Sequence, residues 1–548
     1  TIGDKIIHAG DTNTAIRFPA ADTVSVETGG NEAIRVDSSG RLLVGTSTTL
    51  TAFGSNSLLQ VAGTTFNTSS CLLRRDSTNA SPPGLVFGKS RGSAGGNTVV
   101  QNNDKLGDII FVGADGTDLA SQAAIIRAEV DGTPGSNDMP GRLIFGTTAD
   151  GAASPTTRLT IDSTGKATFT VDASINSINI GKGANSVAGN TVLGELALDA
   201  AVTGQNNVAV GKEALTTHTS GASNVAVGVQ ALRQQTTANN NTAVGFQALY
   251  TNTTANNNTA IGFNALVFNT TGVNNVAVGS LCLDANTTGF HNTALGLQAL
   301  SANTTASNNT AVGTNSLLAN TTGTQNTAVG ANALDTTTTG GNNTAIGYLA
   351  MDANTTGEFN TAVGSNALRF NTTASQNNAF GLQALDANTT GAYNNAFGVN
   401  ALGSNTTASY NSAFGQTALA ANTTGASNVA VGANAIDANT TGANNTAVGK
   451  DSLTDLTNGS QNTALGSNAL ANTTTSANNV GVGFQALSAN TTGANNVSVG
   501  TQALMSNTTA NENTAVGYSA LEANTTGARN SALGFKALEA NTTASYST

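Results

Sequence analysis

Four aspartates in a short stretch, Asp115, Asp118, Asp131 and Asp138, bring together enough carboxylate oxygen to surround a hard cation. Their spacing matches no calcium loop, and the pairs Asp115-Gly116 and Asp131-Gly132 read as turns, so no metal ligand is assigned. His8, His218 and His291 stand alone at unrelated positions and read as exposed residues. Cys71 and Cys282 are the only cysteines, too few for a disulfide framework. Cleaving a polysaccharide requires paired carboxylates in a groove, whereas Asp284, Asp352 and Asp386 are scattered acids. With no phosphate-binding loop, nucleophile elbow or HExxH in the sequence, we assign no catalytic or cofactor-binding residue and expect no enzyme.

The element that holds most of these residues is a repeat. From Asn190 onward a seventeen-residue unit recurs twenty-one times without insertion or deletion, with the consensus Asn-Thr-Ala-Val-Gly-x-x-Ala-Leu-x-Ala-Asn-Thr-Thr-Gly-Ala-x. Its fifth residue is glycine in every copy, from Gly194 to Gly534. A short fixed period predicts a solenoid in which each repeat is one coil stacked on the next. With about 4.8 Å of rise per coil, the array would span about 100 Å.

Within a coil, Thr-Ala-Val and Ala-Leu read as two short strands. Each would send one large side chain into a shared interior: Val210, Val227 and Val244 at the fourth position, Leu215, Leu232 and Leu249 at the ninth. Gly at the fifth position and Asn-Thr-Thr-Gly near the fifteenth would make the corners, with positive φ at many of the fifteenth residues. Phe380, Phe397 and Phe414 occupy the fourth position of three successive coils and should stack ring on ring. The first position is Asn throughout, as in Asn207, Asn224, Asn241, Asn258, Asn275 and Asn292, which predicts a buried ladder of amides. The tripeptides at Asn252, Asn269, Asn286 and Asn303 match the N-glycosylation pattern, although turn chemistry explains them. Adjacent threonines would point to opposite sides of a strand, which disfavours an ice-binding face.

Two large side chains per coil do not offset the entropy of ordering seventeen residues. Small residues at positions three and eight, such as Ala209 and Ala214, would leave a flat face open to another backbone. We therefore expect three identical chains about a common axis. The fold class is all-β: a homotrimeric parallel β-solenoid or β-roll of about twenty-one coils, preceded by small N-terminal β-domains.

The first third lacks the period. Ile34–Arg41 and Leu159–Lys166 each read as strand, Asp-Ser-Ser/Thr-Gly turn and strand. Leu85–Gly88, Gly107–Val112, Ala123–Val130 and Arg142–Gly146 read as further strands. We divide the chain into an attachment segment (1–48), a small β-domain (49–170), a transition (171–189) and the repeat array (190–548). Only 9% of residues are charged, the net charge is −11 and no apolar run is long enough for a membrane span, so nucleic acid and membrane insertion are not expected.

The segment Asp4–Pro19, together with Ile34–Arg41 and Leu42–Thr46, resembles the start of tail-fibre proteins of marine bacteriophages, cyanophages included. The repeat resembles arrays related to YadA-like trimeric adhesin heads. These resemblances imply a homotrimeric tail fibre on the virion, joined to other tail proteins at its N-terminal end and contacting a host-surface glycan or protein. They also imply a self-cleaving chaperone domain that once followed Thr548. Exposed aromatics at variable positions, Phe290, Phe359, Tyr393 and Tyr410, are candidate contacts. A cellular surface adhesin or extracellular filament is the alternative, and a glycan depolymerase spike comes third.

Overall fold

The computed structural model of this chain describes residues 3–52, 55–76, 78, 80 and 82–548. Residues 1, 2, 53, 54, 77, 79 and 81, which fall within the ranges 1–48 and 49–170, lie outside the described residues. The chain divides into two units, one ending at Val171 and one starting at Asp172. Regular structure is β throughout apart from two short 3-10 turns, among the described residues.

Among the described residues the first unit holds two larger open sheets and a two-stranded one, Thr51–Ala52 with Ser55–Asn56. The strands Lys5–His8, Asp11–Arg17, Val24–Thr28, Asn31–Val36, Leu42–Val44 and Leu59–Val61 form a six-stranded sheet. A five-stranded antiparallel sheet contains Lys105–Val112, Gln122–Val130, Gly141–Thr147, Thr156–Ile161 and Ala167–Phe169. Each of the two larger sheets carries one of the two repeated hairpins. Asp37 Oδ1 accepts the backbone N–H groups of Ser39 and Arg41 at 2.9 and 3.1 Å, and Asp162 Oδ1 accepts those of Thr164 and Lys166, both at 2.9 Å. Gly40 and Gly165 follow with φ of 74° and 85°, a conformation open to glycine at little cost. The expected strand Leu85–Gly88 does not form: the segment pairs with no neighbour and Val86 is 88% exposed. Pro82-Pro83, lacking backbone donors, precedes it by one residue, Gly84.

The second unit is a solenoid built on one 23-stranded sheet. Its first two strands, Ala173–Ile175 and Ile178–Gly181, form an antiparallel hairpin that pairs with Thr191–Gly194, so the hairpin within 171–189 begins the sheet. Every later strand is parallel to the one before, in a register of seventeen residues: Val208 opposite Val225, then Thr242, and on to Ser531. The core is a continuous file of buried small and aliphatic side chains, mostly Ala and Leu, among them Ala209, Ala214 and Leu215 and their equivalents in most coils, with Met351 and Ile436 in place of two of the leucines.

Candidate functional site

One coil shows how the side chains are placed. The strand Val208–Val210 is only three residues long, so its alternation sends Ala209 into the lumen and both valines outward. Val210, Val227 and Val244 therefore do not face the interior, contrary to the sequence expectation; they lie half-buried on the outer face. The lumen is too narrow for them, being filled by Ala209, Ala214, Leu215 and two files of asparagine. For the same reason Ala209 and Ala214 offer no flat face to another chain, since both are fully buried within their own coil.

The Ala-Leu segment is not a second strand. Glu213 and Leu215 have φ of 57° and 52°, and the equivalents recur along the array, as at Gln230 and Leu232 or Gln247 and Leu249. A left-handed Leu is unfavourable on its own. It is held by full burial of the side chain and by its backbone N–H donating to Ala231 O at 3.1 Å. Positive φ falls at the fifth, seventh, ninth and seventeenth residues of a coil, as in Gly211, Glu213, Leu215 and Ser223. The fifteenth-position glycines, such as Gly221 and Gly272, do not have it, and the sequence expectation there is corrected. That position instead supplies a carbonyl on which two amide files converge.

The first file is the asparagine of position one. Asn207 Oδ1 accepts the backbone N–H of Asn224 at 2.9 Å, and the pattern continues through Asn241, Asn258, Asn275 and Asn292 at 2.8–3.0 Å. Each Nδ2 donates to a fifteenth-position carbonyl, as Asn207 does to Gly221 O at 3.0 Å. A second file, which sequence reasoning missed, runs through position twelve. Asn269 Nδ2 donates to Asn252 Oδ1 at 2.9 Å, Asn286 to Asn269 at 2.8 Å and Asn303 to Asn286 at 2.9 Å. These are the asparagines of the glycosylation-like tripeptides, and all are fully buried with their amides bonded, so the folded coil leaves no room for a glycan on them. Recurrence of Asn at position twelve was the signal that could have found them.

His218 and Gln235 stand in this second file near its start. His218 is fully buried rather than exposed, with Nε2 at 2.7 Å from Gly221 O. Burial holds its pKa below the ordinary 6.5, against the hydrogen bond to Gly221. The unfolded chain thus binds a proton that the folded coil refuses. The stability owed to neutral His218 is complete above pH 6.5 and declines as pH falls toward the lower folded value. Asp284, Asp335, Asp352, Asp386 and Asp437 behave oppositely. Burial raises each above 3.8, so the folded state binds the proton more readily and their coils gain stability as pH falls. We expect hydrogen exchange, corrected for intrinsic rates, to become faster around His218 as pH falls below 6.5 and slower around residues 335–386 as pH falls toward 3.8. Loss of the first effect in His218→Asn checks the assignment; equal behaviour of the two regions would refute it.

Except for Cys282, the remaining residues singled out from the sequence fall on the surface or in the N-terminal unit. Phe380, Phe397 and Phe414 stack at centroid distances of 4.6 and 4.9 Å, on the outer column of position four, where Phe414 is 42% exposed. Tyr393 and Tyr410 stack at 5.0 Å on the seventeenth position, Phe359 holds the same position two coils earlier with Gln376 between, and Phe290 meets His291 edge-on at 5.1 Å. All four contact candidates are exposed. Asp115 caps its own turn, accepting the N–H groups of Thr117 and Asp118, while Asp131 accepts from Ser163 and Arg142. No cluster of three or more His, Cys, Asp or Glu side chains that could hold a metal ion occurs among the described residues. Cys71 is exposed, and Cys282 lies in the core with its thiol pushed up to about 12 by burial.

No described protein family matches the chain, and no curated protein does. Among solved structures it is similar to the carboxy-terminal domain of the bacteriophage T5 L-shaped tail fibre, at 14% identity over 32% of this chain and 80% of that one, with a TM-score of 0.23. That similarity is too low to bear on fold or function.

Proposed function

We propose that this protein is a structural fibre, a homotrimeric bacteriophage tail fibre whose solenoid holds a recognition surface away from the virion and contacts the host envelope. One observation carries the reading. The outward fourth position is apolar in every coil and forms an unbroken file along the parallel sheet, with Ile261, Leu295, Phe414 and Val431 all exposed. A soluble chain rarely leaves so long an apolar file in water. A partner that covers it must repeat at the same spacing, and further copies of this chain do. Three is the number implied by the resemblance to trimeric adhesin heads. Many weak contacts presented by identical chains would combine through avidity, so no single site need bind tightly.

The tests are solution mass and particle labelling. The full chain is expected at three times 54.3 kDa. Val312→Asp with Val329→Asp, which leaves the lumen untouched, should lower that mass or the melting temperature. A stable species of one chain mass would refute the trimer. Antibodies to the chain should decorate virion tail appendages and block adsorption; decoration of uninfected cells alone would point to a cellular adhesin instead.

A further inference from the structure

Both larger N-terminal sheets are two-faced, and in each the apolar face is uncovered. In the six-stranded sheet one cross-strand row reads Ile6, Ile16, Val26, Ile34, Val44 and Val61, one residue from every strand. A second row on the same side reads Val24, Val36, Leu42 and Leu59. Neither row contains a charge. The opposite face carries Lys5, Arg17, Ser25, Arg35, Leu43 and Gln60 in register, with ion pairs such as Arg35–Glu32 at 2.5 Å. Burial runs against polarity on the two faces: Ser25 and Gln60 are buried, alongside Leu43, whereas Ile16 is 41% and Ile34 39% exposed.

The five-stranded sheet repeats the arrangement. Ile109, Ile126, Phe145, Leu159 and Phe169 form an apolar row across all its strands. Its other face is mixed: Ile110, Ile125 and Ile144 lie among Asp108, Arg127, Glu129 and Arg142, which pair as Arg127–Asp108 at 2.7 Å and Arg142–Glu129 at 2.6 Å. Phe87, from the unpaired segment before this sheet, reaches one corner of the apolar face above Gly107, yet stays half exposed itself. Elsewhere in the row Ile109 is 44% and Phe169 55% exposed, and Ile126, Phe145 and Leu159 are half-buried.

A sheet with one apolar face needs a second layer. Ten aliphatic side chains at this exposure leave on the order of 500 Å² of contiguous apolar surface on the six-stranded sheet alone, near the upper end for a soluble monomer and enough to form the core of a stable contact. An all-aliphatic face without charge or hydrogen-bonding group offers nothing to select a polar partner. Its own equivalent meets it with no charge to desolvate.

We infer that the apolar faces of both N-terminal sheets are contacts between copies of this chain, each packing on the same face of its sister chains. The association thus extends over the N-terminal third as well as the solenoid. The inference rests on the oligomeric reading above and goes further in placing two separate self-contacts outside the repeat.

The test uses the full chain with Cys71→Ser, so that Cys282, buried and with a raised thiol pKa, is the sole native thiol. Single cysteines are introduced as Ile34→Cys and Phe145→Cys on the apolar faces, and as Arg35→Cys and Thr160→Cys on the opposite ones. In the assembled protein we expect maleimide to label the first two at least tenfold more slowly than the second two, and mild oxidation to give inter-chain disulfides from Ile34→Cys alone or with Phe145→Cys. Solution mass is read on the same samples. Trimer mass with equal labelling on both faces overturns this inference and leaves the trimeric reading standing. Monomer mass overturns both. Unchanged circular dichroism in each variant shows that labelling reports the folded protein.

Discussion

Gly313→Ala is expected to cost the solenoid about 3 kcal/mol or more, the sum of backbone strain and a steric clash. Gly313 has φ of 134°, in a region that L side chains rarely adopt. A β-carbon there would lie 2.6 Å from Gly330 O and 3.0 Å from Ala331 N, both backbone atoms of the next coil, which cannot rotate away. The coil spacing would have to open locally, breaking the bond from Gly330 N–H to Val312 O at 2.8 Å. Gly323→Ala is the control. Gly323 lacks positive φ, and although a β-carbon there would press on Gly340 O, the equivalent residue of the preceding coil is already Ala306, so a loss of only about 1 kcal/mol, well below that of Gly313→Ala, is expected. Denaturant unfolding of the two variants, with limited proteolysis between residues 300 and 335, makes the comparison. If Gly313→Ala unfolds like the parent, the close stacking described at position five is wrong.

Asn309→Ala should be nearly as damaging, at about 2–4 kcal/mol. Asn309 Oδ1 accepts the backbone N–H of Asn326 at 2.9 Å, its own N–H is bound by Asn292 Oδ1 at 3.0 Å, and its Nδ2 donates to Gly323 O at 2.9 Å. Truncation leaves the Asn326 N–H buried with no acceptor, the costliest part of the change. Gly323 O is not orphaned, because Asn320 of the second file also donates to it, at 3.0 Å. Asn320→Ala alone should therefore cost only about 1 kcal/mol. The array itself tolerates Thr337, Leu456 and Thr473 at this position, and Asn320 Oδ1 already lacks a partner beside Thr337. Removing both asparagines strands the carbonyl, so the double variant should lose about 1 kcal/mol more than the two single losses together. Strict additivity in that cycle would show that the two files do not share an acceptor.

The all-β solenoid could be read from the sequence because an unbroken period of seventeen admits few other architectures. An invariant asparagine likewise reads as a ladder, since a surface seldom requires the same residue at every rung. Side-chain direction at position four could not be read. Periodic Val and Phe demand cover, but pattern alone does not say whether their own coil or another chain provides it. Ala209 and Ala214 misled for a related reason: a small residue signals close approach, and here the approach is across a narrow lumen. No propensity argument places Leu215 in the left-handed region; only its burial and the bond to Ala231 do. The second amide file was hidden by Asn-Thr-Thr, which reads as a turn, and by the breaks at His218, Gln235, Thr337, Leu456 and Thr473. In the N-terminal third, strand positions followed alternation, but the choice of which face meets water lay beyond any single chain's sequence.

The exact register of seventeen residues between successive strands has a consequence for how such a gene can vary. Removing or duplicating whole units rejoins Asn to Asn at position one and Gly to Gly at position five, so the main-chain hydrogen bonds and the first amide ladder re-form at the new junction. Recombination between near-identical stretches of coding sequence would then yield shorter or longer fibres in a single event, with reach adjustable independently of stability. Any indel that is not a multiple of the unit shifts both amide files out of line and has no such tolerance.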